Sequence, residues 1–162
     1  MPKIDYLSAQ TLVLILKKSL MSNYWLNILE DGWPFLVAVE HTRFADKEKY
    51  GGETIVYFGN YLPENDTQMS LSKERIIEKY LPFIKNINPK FNKEWIKRSY
   101  LFRASYAQPV FPVNYSKMIK NINKKNSKIW FANMSMIYPY DRGTNYAIQI
   151  GKDVARQCLK LL

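Results

Sequence analysis

Residues Thr11 to Leu16 read Thr-Leu-Val-Leu-Ile-Leu, an unbroken apolar run with β-branched members. A strand that is apolar at every position needs cover on both faces, so this segment belongs inside a sheet and not at its edge. Tyr24 to Leu29 and Phe35 to Val39 give two more strands, separated by Glu30-Asp31-Gly32-Trp33-Pro34, which has the chemistry of a turn. Thr54 to Phe58 follows the Gly51-Gly52 pair as a fourth. Four strands at short spacing with turns between them predict an antiparallel sheet.

The hydrophobic period then changes. From Ser70 or Ser72, either of which can cap a helix, Ile76, Ile77, Tyr80, Leu81 and Ile84 recur at helical spacing with Lys73, Glu74, Glu78, Lys79 and Lys85 outside. Asn88-Pro89 breaks that pattern, Asn92 caps a short turn carrying Glu94 and Trp95, and Arg98 to Tyr106 is extended and rich in aromatics. Pro109 and Pro112 bracket a stretch that has to be extended and cannot lie mid-sheet with every N–H paired. Lys117 to Lys128 is a Lys and Asn connection and the best internal boundary, giving portions of 1–125 and 126–162. The last portion begins as a strand-type run at Ile129 to Phe131, passes through a Pro, Asp and Gly loop, and enters a helix with Ala147, Ile150, Gly151, Val154, Ala155, Cys158 and Leu162 along one side. Gly151 in that stripe predicts close approach of another backbone. The fold class expected is α+β.

Several functions are disfavoured at once. The formal charge is +10, but 18 of the 24 basic residues are Lys, whereas base-reading and phosphate-clamping sites favour Arg forks. The Lys117, Lys120, Lys124, Lys125 and Lys128 cluster keeps open one alternative, a non-enzymatic module on nucleic acid or an anionic membrane surface. Cys158 is the single cysteine, which excludes an intramolecular disulfide and a Cys-built zinc site, and its place on the apolar side of the final helix predicts a buried structural thiol. His41 is the single histidine and points to no metal site, so it is read as hydrogen-bonded and structural. No apolar run approaches the ~20 residues that span a bilayer. The Leu12 to Leu16 run is short for a signal peptide and is followed directly by Lys17-Lys18, so the expected location is cytoplasmic.

Gly143-Thr144-Asn145 at the start of the final helix offers backbone N–H groups and the positive end of the helix dipole to an electron-rich ligand, although periodicity alone favours a plain capped helix. Ile129 to Gly151, with Arg98 to Ser116, Glu40-His41-Thr42 and Tyr50-Gly51-Gly52, resembles the C-terminal part of FAD-dependent oxidoreductases of the flavin amine oxidase and protoporphyrinogen oxidase type. Phe131-Ala132 resembles the family's strand end, Asp141-Arg142-Gly143-Thr144-Asn145 its loop and helix start, and Tyr106 to Tyr115 its proline-containing stretch. Asn133 and Met134 stand where the family has Gly followed by an acidic or amide residue, with Asn133 or Asp141 as the substitute.

The resemblance implies an antiparallel substrate-domain sheet with helices over 1–125. Over 126–162 it implies a strand-loop-helix belonging to a Rossmann-like FAD-binding domain. No Gly-x-Gly-x-x-Gly fingerprint occurs in these residues, so it also implies a separate or missing N-terminal FAD-binding half as partner. It further implies FAD held at Asn133, Asp141, Arg142, Gly143, Thr144 and Asn145, and a small organic substrate against Phe102, Tyr106 and Gln108. The reaction implied is hydride transfer from that substrate to flavin N5, with no catalytic side chain assigned.

Overall fold

The computed structural model describes residues 4–119, 129–140 and 143–160. Five strands, β1 (Asp5–Leu16), β2 (Trp25–Asn27), β3 (Val37–Glu40), β4 (Thr54–Leu62) and β5 (Ile96–Val110), form one antiparallel sheet in the order β2-β3-β4-β1-β5. The chain is thus α+β, and β1 lies inside the sheet, between β4 and β5. Its register sets Leu12 opposite Phe58 and Leu14 opposite Val56, and β3 continues the first of these rows with Ala38.

Residues facing each other across antiparallel strands share a face. Leu12, Leu14, Leu16, Ala38, Val56 and Phe58 therefore point one way, and α1 (Lys73–Ile87) covers them with Ile76, Ile77, Tyr80 and Ile84. Burying each such large side chain contributes about 1.5–3 kcal/mol. Ser72 caps α1 by accepting from the Arg75 N–H at 3.3 Å, which settles the choice between Ser70 and Ser72. The helix runs through Pro82, whose missing N–H leaves the Glu78 carbonyl without its usual partner. A buried polar line crosses this core, in which the Gln10 amide donates to Tyr80 Oη at 3.2 Å and Arg103 Nε donates to Gln10 Oε1 at 2.9 Å.

The described residues cluster into two compact units: Tyr6–Gln108, and those of Pro109–Leu162 with those of Met1–Asp5. The second holds the short α2 (Tyr115–Ile119) and the long α3 (Thr144–Leu159). Its packing centre is aromatic: Phe111, Tyr115 and Tyr138 have ring centroids 4.7–5.5 Å apart. Tyr115 is fully buried there.

Three expectations are corrected in this second unit. Ile129 to Phe131 forms no strand; an apolar β-type run does not by itself supply the ladder neighbour that a strand needs. Cys158 is half-buried, and α3 buries none of its side chains. At Gly151 a Cβ would meet nothing within 4 Å, so no backbone closes on it here. Lys120, Lys124, Lys125 and Lys128 lie outside the described residues. No helix among the described residues is long and apolar enough to cross a membrane.

Candidate functional site

The residues singled out from the sequence fall into both units. In Pro109–Leu162, Gly143 occupies the N-cap of α3 with extended backbone, and its carbonyl accepts from the Ala147 N–H at 3.0 Å. Among the described residues no side chain caps this helix. The first-turn N–H groups of a helix have no partner within it, so the start of α3 presents donors and a partial positive charge. Thr144 and Asn145, in that first turn, are exposed.

A Cβ on Gly143 would lie 2.7 Å from Asn145 Oδ1 and 3.5 Å from the Tyr146 ring. The first contact is with the end of a movable amide, so glycine here keeps the approach to the helix start clear more than it preserves the fold. Tyr140 and Tyr146 stack at 5.0 Å and 11°, forming an aromatic wall beside that start. Neither tyrosine stood out in the sequence; an aromatic six positions ahead of another, across a Pro-Asp-Gly loop, is the signal that was available.

Asn133 has a local task. Its Oδ1 accepts from the Ser135 N–H at 3.0 Å and from Ser135 Oγ at 2.6 Å, capping the turn Met134–Ile137. Asp141 and Arg142 lie outside the described residues.

In Tyr6–Gln108, Phe102 and Tyr106 lie on β5 and are 60% and 70% exposed, so the aromatics of this strand are not core. Tyr100 and Phe102 stack at 6.5 Å, and Tyr106 meets Tyr6 edge-on at 5.5 Å. Tyr106 has φ 56°, a left-handed conformation that costs a non-glycine residue of order 1–3 kcal/mol and tends to occur where function demands it. Gln108 is half-buried on the same strand.

The sheet face opposite α1 is also aromatic. Register places Trp25, Val39, Tyr57 and Val13 in one row across four strands, and Asn27, Val37, Gly59 and Thr11 in the next. Gly59 is required in its row, because a Cβ there would meet Val37 Cγ1 at 2.9 Å and valine is stiff. His41 sits beside this face, with Nε2 2.8 Å from Tyr50 Oη and its ring edge-on to Tyr57 at 5.8 Å. The expected hydrogen-bonded histidine is therefore present. Burial, followed by the nearby Tyr50 and Tyr24, pushes the Tyr57 phenol above its ordinary value, so it stays neutral and able to donate.

Glu40 was passed over in favour of its histidine neighbour, yet it is the more constrained residue. It is 2% exposed. Oε2 accepts from the Leu20 and Met21 N–H groups, each at 2.9 Å, while Oε1 accepts from Ser19 Oγ at 2.7 Å and forms an ion pair with Arg43, whose Nε is 3.1 Å away. A buried carboxylate saturated in this way is a staple between β3 and the segment after β1.

No protein-family model matches the chain, and no curated protein matches it. Among solved structures, it is similar to a protein of Exiguobacterium sp. 255-15 provisionally named a protoporphyrinogen oxidase. The TM-score is 0.71 at 12% identity, over 98% of this chain and 35% of that one. The chain therefore has the fold of part of that protein and spans about a third of its length. The earlier resemblance and this likeness agree on fold.

Proposed function

We propose that these residues form the C-terminal portion of an FAD-dependent oxidoreductase that removes hydride from a small organic substrate. The reading rests on the fold, which follows part of the Exiguobacterium protein along almost the whole chain. Residues 1–125 supply the substrate-domain portion and 126–162 the returning segment of the FAD-binding domain. The dinucleotide-binding half comes from outside this sequence.

The start of α3 fits such a cofactor. Among the described residues no side chain caps it, its N-cap is a glycine whose Cβ would intrude, and two stacked tyrosines flank it. Gly143, Thr144 and Asn145 would hold the group with backbone N–H donors, and Asn133 acts by shaping the Met134–Ile137 turn. Bound FAD supplies the hydride acceptor. The chain's own contribution is a preformed positive end, worth about 0.3–2 kcal/mol to a developing negative charge. Phe102, Tyr106 and Gln108 supply a wall for substrate, with Tyr106 held by its backbone and by Tyr6 where its ring stays exposed.

Co-expression with a matching N-terminal half tests this. The expected product is a yellow complex whose flavin absorbance co-elutes with both pieces, while the 162-residue chain alone purifies colourless. A stably assembled pair without flavin would overturn the reading.

A further inference from the structure

A second site lies at one end of the sheet in Tyr6–Gln108, where β1 and β3 end and β4 begins. A cleft of about 530 Å³ opens there, with Lys17, Lys18, Glu40, Arg43, Asp46 and Lys47 as its charged lining. Its charges are four cations against two carboxylates, and the hydrogen bonds show which remain available. Glu40 is saturated, and Arg43 is spent on Glu40, Ser19 Oγ and the Met21 carbonyl. Asp46 accepts from the Glu48 N–H at 3.1 Å. Lys18 sits 5.3 Å over the Trp95 ring.

Lys17 and Lys47 are different. Both are exposed, and neither has an ion-pair partner among the described residues. Each nevertheless stands on fixed backbone: the Lys17 N–H donates to the Trp95 carbonyl at 2.8 Å, and the Lys47 carbonyl accepts from the Gly52 N–H at 3.0 Å. The Thr42 hydroxyl accepts from the Ile55 N–H at 3.2 Å and keeps its own proton to give. Two ammonium groups on separate segments, with the Thr42 hydroxyl also lining the cleft, suit an anion with charge at more than one point. The cleft is also of the size of small-molecule sites and larger than one inorganic ion needs.

We propose that this cleft binds a small polyanion carrying two or more phosphate or carboxylate groups, with Lys17 and Lys47 as its charged contacts. The Glu40 staple holds Ser19 and Arg43 in the cleft's lining. Binding here does not depend on flavin, so the site stands or falls apart from the oxidoreductase reading.

The test is a ¹⁵N–¹H spectral titration of the 162-residue chain with pyrophosphate, and in a second arm with citrate, at constant ionic strength. Saturable shifts confined to residues 17–19, 42–47 and 52–54 are expected in at least one arm, and the arm that saturates assigns phosphate or carboxylate chemistry. Lys17→Ala/Lys47→Ala should weaken the apparent Kd at least about tenfold. Lys79→Ala/Lys90→Ala, the same charge loss at exposed positions outside the cleft, should change it less than about twofold. Shifts that fail to saturate in both arms would overturn the proposal, as would equal weakening by the two double variants.

Discussion

Two helices of nearly equal length behave oppositely. α1 has 15 residues and α3 has 16, and both carry an apolar stripe. Yet α1 buries Ile76, Ile77, Tyr80 and Ile84 against a sheet and is capped by Ser72, whereas among the described residues α3 buries no side chain and has no side-chain cap. Ile148 and Leu159 on α3 are 53% and 69% exposed. Short helices draw most of their stability from tertiary packing, so α1 is stabilised within this sequence. α3 keeps a half-covered apolar side among the described residues.

The largest expected effect breaks the comparison if it fails. Ile84→Ala should cost about 2–5 kcal/mol, because Ile84 is fully buried and the rigid sheet cannot collapse into the space. Ile150→Ala, at a half-buried position on α3, should cost less than about 1 kcal/mol. Urea midpoints of the two variants measure the difference; similar shifts would mean that α3 is anchored as firmly as α1.

How far the sequence revealed this follows the same division. α1, its cap, the interior position of β1 and the short turn after Asn92 were legible because local periodicity and capping carry them. The Ile129 to Phe131 strand was misread because an apolar β-type run records only that a ladder is favoured, not that one forms. Cys158 and Gly151 misled for the same reason, since a stripe of small and apolar residues says nothing about whether its covering surface is in the chain. Exposed Phe102 and Tyr106 were placed on the right strand, but the left-handed backbone at Tyr106 has no signature in a non-glycine residue. Glu40 was missed because its partners include backbone N–H groups some twenty residues away in sequence, which no spacing rule finds.

Capping gives a smaller and sharper contrast. Ser72→Ala should destabilise by about 1 kcal/mol through loss of the Arg75 N–H acceptor. Gly143→Asp should do the reverse at α3, adding a few tenths of a kcal/mol by placing a carboxylate on bare N–H groups once the Asn145 amide has moved aside. If the start of α3 holds FAD, the same Gly143→Asp should also lower flavin content in the co-expressed complex, because its carboxylate competes for those donors. Retained flavin with a stabilised α3 would remove the helix start from the cofactor site.

The smallest effect concerns acid. Glu53, just before β4, pairs with Lys97 at 2.6 Å and with Arg98 on β5. The Lys97 hydrogen bond first, opposed by some burial and helped by the Arg98 charge, holds its carboxyl below the ordinary value. A carboxyl whose folded pKa is depressed contributes stability above its unfolded pKa and loses it as pH falls through the folded one. The contribution should therefore be intact near neutrality and fade below about pH 4.5, the ordinary glutamate range. Glu53 is solvent-facing, so salt should weaken the effect further. Urea unfolding between pH 3 and 6, read at sheet amides and separately at α3 amides, should show a shallower acid slope in Glu53→Gln than in the native chain, at the sheet alone. An equal change at α3 would mean that the two regions unfold as one cooperative body, and the contrast between the helices would then describe packing without independent stability.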